Sequence, residues 1–272
     1  MFLSRPEWEV RRAAHEARVD ALLGDHLERR RRGLRHPVRD FLFTYYSYRP
    51  GQLRRWFPGL GVELEGVELE GVEPLDSKET GRRYGSIRWI RDLLQATAER
   101  PGHFGCFGMH EWAMVYRQTQ PELRHNAYPL RIDPDAVVEE RGIRCGHFDA
   151  FRFFTPPARP LNILQPTREA QPDNEQPGCL HANMDLYKWS YKLAPLAPAE
   201  LIADCFELAS AVRELDMRAS PYDLRDLGYA PVKIETPEGR AEYAAAQRDF
   251  AERAKPLRQR LIEVCVRALQ GT

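Results

Sequence analysis

Apolar residues along this chain recur mostly at every third or fourth position, which is the spacing of one buried face of an α-helix. The first such segment follows Ser4 and Pro6, a serine and a proline placed as in a capped helix start. Glycine and proline interrupt the chain after the helical segments. The pattern predicts helices over residues 6–31, 86–100, 199–217 and 237–269.

Stretches typical of β-strands are shorter and fewer. We expect extended structure at residues 129–132, 137–138, 142–144 and 231–235. Residues 61–73 repeat a five-residue unit in which valine and leucine alternate with glutamate, and this favours an irregular hairpin or surface loop within residues 60–80. The chain is therefore predicted to have an α+β fold: a helix-rich single domain over residues 1–272, with a small sheet and a long C-terminal helix.

Composition narrows the class of protein. Hydrophobic residues make up 43% of the chain and charged residues 29%, as in ordinary soluble proteins. No apolar run approaches the roughly 20 residues that span a bilayer, and the N-terminus is charged within its first residues, unlike a signal peptide. The five cysteines are an odd number and do not suggest a disulfide framework. We expect reduced thiols, a cytoplasmic location and no membrane partner.

Residues 144–193 combine polar and aromatic side chains in a way that packing alone does not explain. Two segments, joined by a loop rich in proline and glutamine, each begin with Cys-x-His and continue to an aspartate. The two sets are Cys145, His147 and Asp149, and Cys179, His181 and Asp185. A buried polar group without a partner costs roughly 1–3 kcal/mol, so we place the functional site in this stretch.

Histidine and aspartate spacing in this stretch is compatible with acid–base catalysis. If residues 182–192 are helical, His181 and Asp185 stand four positions apart on one face, with Lys188 one turn further. His147 and Asp149 form a similar pair. A carboxylate beside a histidine raises its basicity and suits it to activate water. The same spacing is also expected if these side chains only satisfy one another's hydrogen bonds.

A third polar cluster, Cys106 with His110 and Glu111, follows a glycine-rich segment where the backbone is expected to bend tightly. Zinc accepts cysteine, histidine and carboxylate ligands together. The Cys-x2-Cys pairs of zinc ribbons and fingers are not present in the sequence. His110, His147 and His181 are therefore candidate ligands of a zinc or iron ion, and spacing alone assigns none of them.

Aromatic residues crowd the same stretch. They can form the walls of a pocket for a planar ring or an extruded nucleobase, or they can be core residues. These residues are Phe148, Phe151, Phe153, Phe154, Tyr187, Trp189 and Tyr191.

Arginine clusters between Arg29 and Arg55, interleaved with aromatic residues. Exposed arginines can bind phosphates while neighbouring rings stack on bases. The candidates for contact with DNA are Arg31, Arg32, Arg35, Arg54 and Arg55. The whole chain has 40 basic and 40 acidic residues, so no general positive charge supports such binding, and the segment also fits a solvated helix end beside core aromatics.

Five segments are long enough to identify a family: RHPVRDFLFTYYSYRPGQLRRWFPGLGV, FGCFGMHEWAMVYR, HFDAFRFFTPPARPLNILQPTRE, QPGCLHANMDLYKWSYKLAPL and RELDMRASPYDL. They resemble a family of actinobacterial-type proteins that commonly bear the label 3-methyladenine DNA glycosylase, and the resemblance covers nearly the whole chain. The glycine-rich hairpin of helix-hairpin-helix glycosylases is not found in the sequence.

The resemblance implies DNA repair, by hydrolysis of the N-glycosidic bond of an alkylated base held in an aromatic pocket. Asp149 or Asp185 would then stabilise the transition state or orient water, with His147 or His181 as the orienting partner. The side chains that would contact the substrate are Trp189, Tyr187, Phe151, Asn183, Lys188, His110 and Glu111. No cofactor is expected for this chemistry.

Two other function classes remain open from the sequence. One is a metal-dependent enzyme, using zinc or iron, that acts on a small substrate with a cluster of histidines and carboxylates. The other is a non-catalytic protein that binds a ligand or nucleic acid. Which class applies depends on whether the three clusters meet in one cavity.

Overall fold

A computed structural model of the chain describes residues 1–66 and 77–270. Helices dominate these residues, and the helices and their bounds are as follows: α1 (Arg5–Leu23), α2 (His26–Arg31), α3 (Phe41–Tyr45), α4 (Pro50–Arg54), α5 (Ser77–Glu99), α6 (Met109–Ala113), α7 (Pro134–Arg141), α8 (Phe148–Phe151), α9 (Gln171–Asn174), α10 (Leu180–Lys192), α11 (Ala199–Ala219) and α12 (Pro237–Gln270).

A small parallel sheet joins the N-terminus to the pentapeptide repeat. Its strands are β1 (Phe2–Leu3) and β2 (Glu63–Leu64), which pair in register Phe2 with Glu63 and Leu3 with Leu64. Glu63 is exposed and Leu64 is buried, as the alternation of the repeat predicts. Residues 67–73 of the repeat lie outside the described residues. The predicted class, a helix-rich α+β fold with a small sheet and a long C-terminal helix, is confirmed.

The helix predicted over residues 6–31 is interrupted. α1 begins directly after its N-cap residue, Ser4, which donates hydrogen bonds from its amide and hydroxyl to the Glu7 carboxylate. It ends at Leu23, because Gly24 follows with a φ of +50°, a conformation that other residues rarely adopt. The apolar stripe continues past this glycine, so periodicity alone did not locate the break.

The extended structure predicted at residues 137–138 was wrong. Residues 137–138 lie in α7, where Asp133 accepts a hydrogen bond from the Asp135 amide at 3.0 Å and Pro134 occupies the first turn. A capped helix start therefore outweighs the β-propensity of the two valines. Residues 129–132 and 142–144 contribute isolated bridges, and residues 231–235 form no strand in the described part of the chain.

Three other helices behave as predicted. α10 covers residues 182–192, and α11 and α12 confirm the two C-terminal helices. α5 begins at Ser77, earlier than the expected start at Ser86. Among the described residues, no helix is both long enough and apolar enough to cross a membrane.

Contacts divide the chain into two compact units. The first comprises Met1–Gln95, Met184–Ser210 and Lys255–Thr272, and the second comprises Ala96–Asn183 and Ala211–Ala254. The single domain over residues 1–272 stays a prediction. Fully buried side chains form a core in each unit: Val19, Leu42, Leu53 and Leu186 in the first, and Trp112, Tyr116, Ile143 and Tyr243 in the second.

Candidate metal centre

The second unit brings together ionisable side chains from five segments of the sequence. α6 supplies two of them, the residue before α8 a third, the residue after α9 a fourth, the first turn of α10 a fifth, and α11 the last two. In that order they are His110, Glu111, His147, Glu175, His181, Arg213 and Asp216, each no more than 7% exposed. Such burial of charge is costly unless the groups neutralise one another or bind an ion.

A glycine turn directs α6 toward this cluster. Gly108 caps the helix in the left-handed conformation, with a φ of +69°. A Cβ atom there would lie 3.3 Å from the Tyr243 ring, so the site favours glycine for both backbone and space. The tight bend expected from the glycine-rich segment is therefore confirmed. It places His110 and Glu111 inside the second unit.

His110, His181 and Asp216 form a close group. Each offers one ligand atom, and these three atoms lie within 4.8 Å of one another. His110 Nε2 is 2.8 Å from Asp216 Oδ1, yet neither atom has a hydrogen bond of acceptable geometry. The His181 ring stands edge-on to the His110 ring, with 4.3 Å between centroids. Ligand atoms that converge in this way, with the 2.8 Å pair out of hydrogen-bond alignment, are compatible with a shared metal ion.

His147 and Glu175 lie beside this group. The His147 ring stacks on the His181 ring at 5.2 Å between centroids, and its Nε2 is 3.2 Å from Glu175 Oε1. Gln171 donates a hydrogen bond to the same carboxylate oxygen. The three histidines predicted as candidate ligands therefore meet in one place.

Arg213 compensates part of the buried negative charge. Its Nη1 is 2.7 Å from Glu111 Oε1 and 3.5 Å from Asp216 Oδ2. Burial opposes ionisation of Glu111, but Arg213 and His110 outweigh burial and lower the pKa of this carboxyl. Burial likewise opposes protonation of His110, and Asp216 outweighs it and raises the pKa of the imidazole.

A cavity of about 170 Å³ lies against the cluster. Its walls include four cluster residues, namely His110, His147, Glu175 and His181, together with apolar residues such as Ile143 and Leu164. We call it the first cavity. It is a small space with convergent polar groups, which is typical of a site for a small ligand.

Three thiols also line the first cavity. They are Cys106, Cys145 and Cys179. Burial raises the pKa of Cys145 to about 12 and raises the pKa of the other two as well. Protonated thiols are poor nucleophiles, so nothing marks one of them as a reactive cysteine. The converging ligand atoms belong to His110, His181 and Asp216, and none of them is a thiol.

Asp149 and Asp185, the predicted catalytic carboxylates, have basic or hydroxyl partners. Asp149 lies 3.1 Å from Arg168 and 3.3 Å from Arg152. Asp185, in the first unit, accepts hydrogen bonds from Lys188 at 2.6 Å and Tyr46 at 2.7 Å. Asp185 and His181 do share α10 at the predicted spacing of four residues.

The predicted aromatic walls lie elsewhere than the first cavity. Trp189 packs edge-on against Trp89 in the first unit, at 5.2 Å between centroids. Tyr187 packs against Phe206 in the same unit at 5.2 Å. Phe151 is half-buried and contacts Phe154. Asn183, another predicted substrate contact, donates a hydrogen bond to a backbone carbonyl, that of Pro177.

The arginines predicted to contact DNA are all exposed; they are Arg31, Arg32, Arg35, Arg54 and Arg55. Arg54 pairs with Glu16 and Asp20, and Arg32 lies 3.7 Å from Glu28. The aromatic residues between them include Phe41, Tyr46 and Tyr48, which are buried. These rings act as core residues, while the arginines face solvent.

Sequence reasoning missed Glu175, Arg213 and Asp216. Arg213 and Asp216 stand three positions apart within α11, beside its apolar stripe, and both are 1% exposed. Two charged residues that border the buried face of a helix were the available signal. Glu175 lies in the proline-rich loop, where no periodicity indicates burial.

Comparison with known proteins gives no family for this chain. No protein-family model matches it, and no curated protein or solved structure is significantly similar to it.

Proposed function

We propose that this chain is a metal-dependent enzyme that acts on a small substrate in the first cavity. The observation that carries the proposal is the convergence of His110, His181 and Asp216 within 4.8 Å at one point of a buried cluster. Two histidines and one carboxylate are a common ligand set of catalytic zinc and of non-haem iron. Three protein ligands leave at least one coordination position open, and two of these ligands line the cavity.

The charge of the cluster supports a divalent cation. The cluster has three buried carboxylates, those of Glu111, Glu175 and Asp216. Among the described residues of the second unit, the buried arginine in contact with them is Arg213. With neutral histidines, the carboxylates exceed the guanidinium by two negative charges, the charge that Zn²⁺ or Fe²⁺ would neutralise. Buried charge of one sign is otherwise strongly unfavourable.

The chemistry that fits this arrangement is activation of water or of a substrate oxygen. A bound divalent metal lowers the pKa of its water and polarises oxygen atoms of the substrate. The pair of His147 and Glu175 lies beside His181 and also lines the cavity. With a metal bound at the neighbouring ligands, this pair would be placed to accept a proton from water.

Metal binding by purified protein tests the proposal. Metal-free chain is incubated with Zn²⁺, or with Fe²⁺ without oxygen, and the bound metal per chain is measured. We expect about one tightly bound ion. His110→Ala, His181→Ala and Asp216→Asn should each lose more affinity than the roughly 10–100-fold that removal of an outer-shell partner costs.

The matched control is His125→Phe, which removes a histidine of the same unit outside the cluster. It should bind metal as the unchanged chain does. Circular dichroism of each metal-free variant establishes that it is folded. Absence of stoichiometric binding by the unchanged chain, or unchanged affinity in all three ligand variants, would contradict the proposal.

Glycosylase activity, implied by the family resemblance, is the second candidate function. The observation that favours it is the set of exposed arginines in the first unit, of which Arg31, Arg35 and Arg55 face solvent. The test is incubation with methylated duplex DNA, followed by detection of released base. Release that is lost in an Arg31→Ala/Arg35→Ala/Arg55→Ala variant supports this function. No release, with no salt-dependent binding of DNA, excludes it.

A further inference from the structure

A second cavity, of about 260 Å³, adjoins the first in the second unit. The two cavities share four lining residues, namely Cys106, Met109, Ile143 and Arg144. A molecule that occupies the second cavity therefore lies next to the space that faces His110 and His181. What lines the second cavity determines which molecules can do so.

The charge of the second cavity is positive. Three arginines line it, Arg141, Arg144 and Arg240, and no acidic residue is among its lining residues. Arg240 donates hydrogen bonds to backbone carbonyls at 3.2 Å, which do not neutralise its charge. Arg141 lies 3.1 Å from the exposed carboxylate of Glu140. The lining of the second cavity therefore favours an anion.

Arg144 is the group best placed to bind that anion. It lines both cavities and is exposed, and within the described residues it has neither an ion pair nor a side-chain hydrogen bond. The carboxylate of Glu235, the residue after Ile234 of the cavity lining, accepts a hydrogen bond from Arg131. A guanidinium with unused donors matches the two oxygens of a carboxylate or phosphate.

The remaining walls are apolar. Phe107, Met109, Ile143 and Ile234 contribute to them, and Ile163 lies at the rim with 72% of its surface exposed. An exposed isoleucine beside arginines is suited to a ligand that carries both an apolar body and a charged end.

We propose that the second cavity binds an organic oxyanion with an apolar body, and that Arg144 holds its charged head at the junction with the first cavity. The inference rests on the proposed metal-dependent function, for which it names the substrate class. The apolar body lies along Ile143 and Ile234, and the head group faces the space next to the metal ligands.

Calorimetric titration of the chain tests this inference, with octanoate, octyl phosphate and the neutral octanol as probes. Either anion should bind more tightly than octanol, and the tighter of the two identifies the head group. Arg144→Gln should weaken anion binding by about tenfold or more, the effect expected for loss of a charge-assisted contact. Equal binding of anions and octanol, or no binding of either anion, would overturn the inference.

Two controls separate this inference from the metal proposal. Arg248→Gln removes an exposed arginine of the same unit that lines neither cavity, and it should leave anion binding unchanged. Arg144→Gln should retain the metal affinity of the unchanged chain, because Arg144 is not a ligand. Loss of anion binding in both variants contradicts a role for Arg144. If the chain takes up no metal, the metal proposal is refuted. If the same chain still binds the anions, the anion site is retained.

Discussion

The side chains of the cluster differ from ordinary buried ion pairs in how they approach one another. His110 Nε2 and Asp216 Oδ1 are 2.8 Å apart without hydrogen-bond alignment. Ligand atoms at about 2.0–2.2 Å from a tetrahedral metal lie roughly 3.4 Å from one another, so a small outward movement accommodates an ion. Protonation of His110 is the other way to satisfy Asp216, and a metal must compete with that proton.

Another histidine of the second unit makes stability depend on pH. Burial, followed by the charges of Arg213 and Arg124, lowers the pKa of His125 to about 3. Between that value and its unfolded pKa of roughly 6.5, the unfolded chain binds more protons at this site than the folded chain. The contribution of His125 to stability is therefore present above pH 6.5 and is lost as the pH falls toward 3.

His125→Phe should reduce this pH dependence, because phenylalanine does not titrate and can keep the edge-on contact that His125 makes with Tyr222 at 5.3 Å. Urea unfolding of both proteins at pH 7 and pH 4.5 measures the effect. We expect the unchanged chain to lose more stability on acidification than the variant. An equal loss in both proteins would show that His125 does not titrate in this way.

Among the elements, the start of α6 makes a testable contribution to the site. Gly108 and Gly228 both adopt the left-handed conformation, but only Gly108 has a neighbour where a Cβ atom would be placed. Gly228→Ala should cost about 1 kcal/mol from backbone strain alone. Gly108→Ala should cost more, because its methyl group meets Tyr243 at 3.3 Å.

Chemical denaturation and metal titration of both alanine variants check this prediction. Metal affinity should fall in Gly108→Ala, since His110 follows the turn closely, and should stay unchanged in Gly228→Ala. Equal stability and equal metal affinity in the two variants would show that the turn does not orient α6.

Helices with a long apolar periodicity were predicted more reliably than short segments. α11 and α12 are long and periodic, so their existence followed directly from the sequence. Short segments failed where local chemistry overrode propensity, as at the Asp133 cap of α7 and at Gly24 after α1. A single capping side chain or glycine outweighs two or three residues of favourable propensity.

At the scale of the whole molecule, the sequence predicted where the site lies better than which residues form it. The three histidines were identified because each lies in a segment with more polar residues than a hydrophobic core accommodates. Their rings do meet in the structure. Their carboxylate partners are separated from them along the chain: Glu175 lies 28 residues after His147, and Asp216 lies 106 residues after His110. The pattern of α11 could mark Asp216 as a charge beside a buried face, but only tertiary packing brings the two carboxylates to the histidines.

Diffraction from crystals of the metal-loaded chain, recorded at the absorption edge of zinc or iron, tests the central claim most directly. The account predicts one anomalous peak in the second unit, at about 2.0–2.2 Å from ligand atoms of His110, His181 and Asp216. It also predicts that this peak faces the first cavity. A metal-loaded crystal without a peak there, or with the ion bound by other residues, would contradict the account.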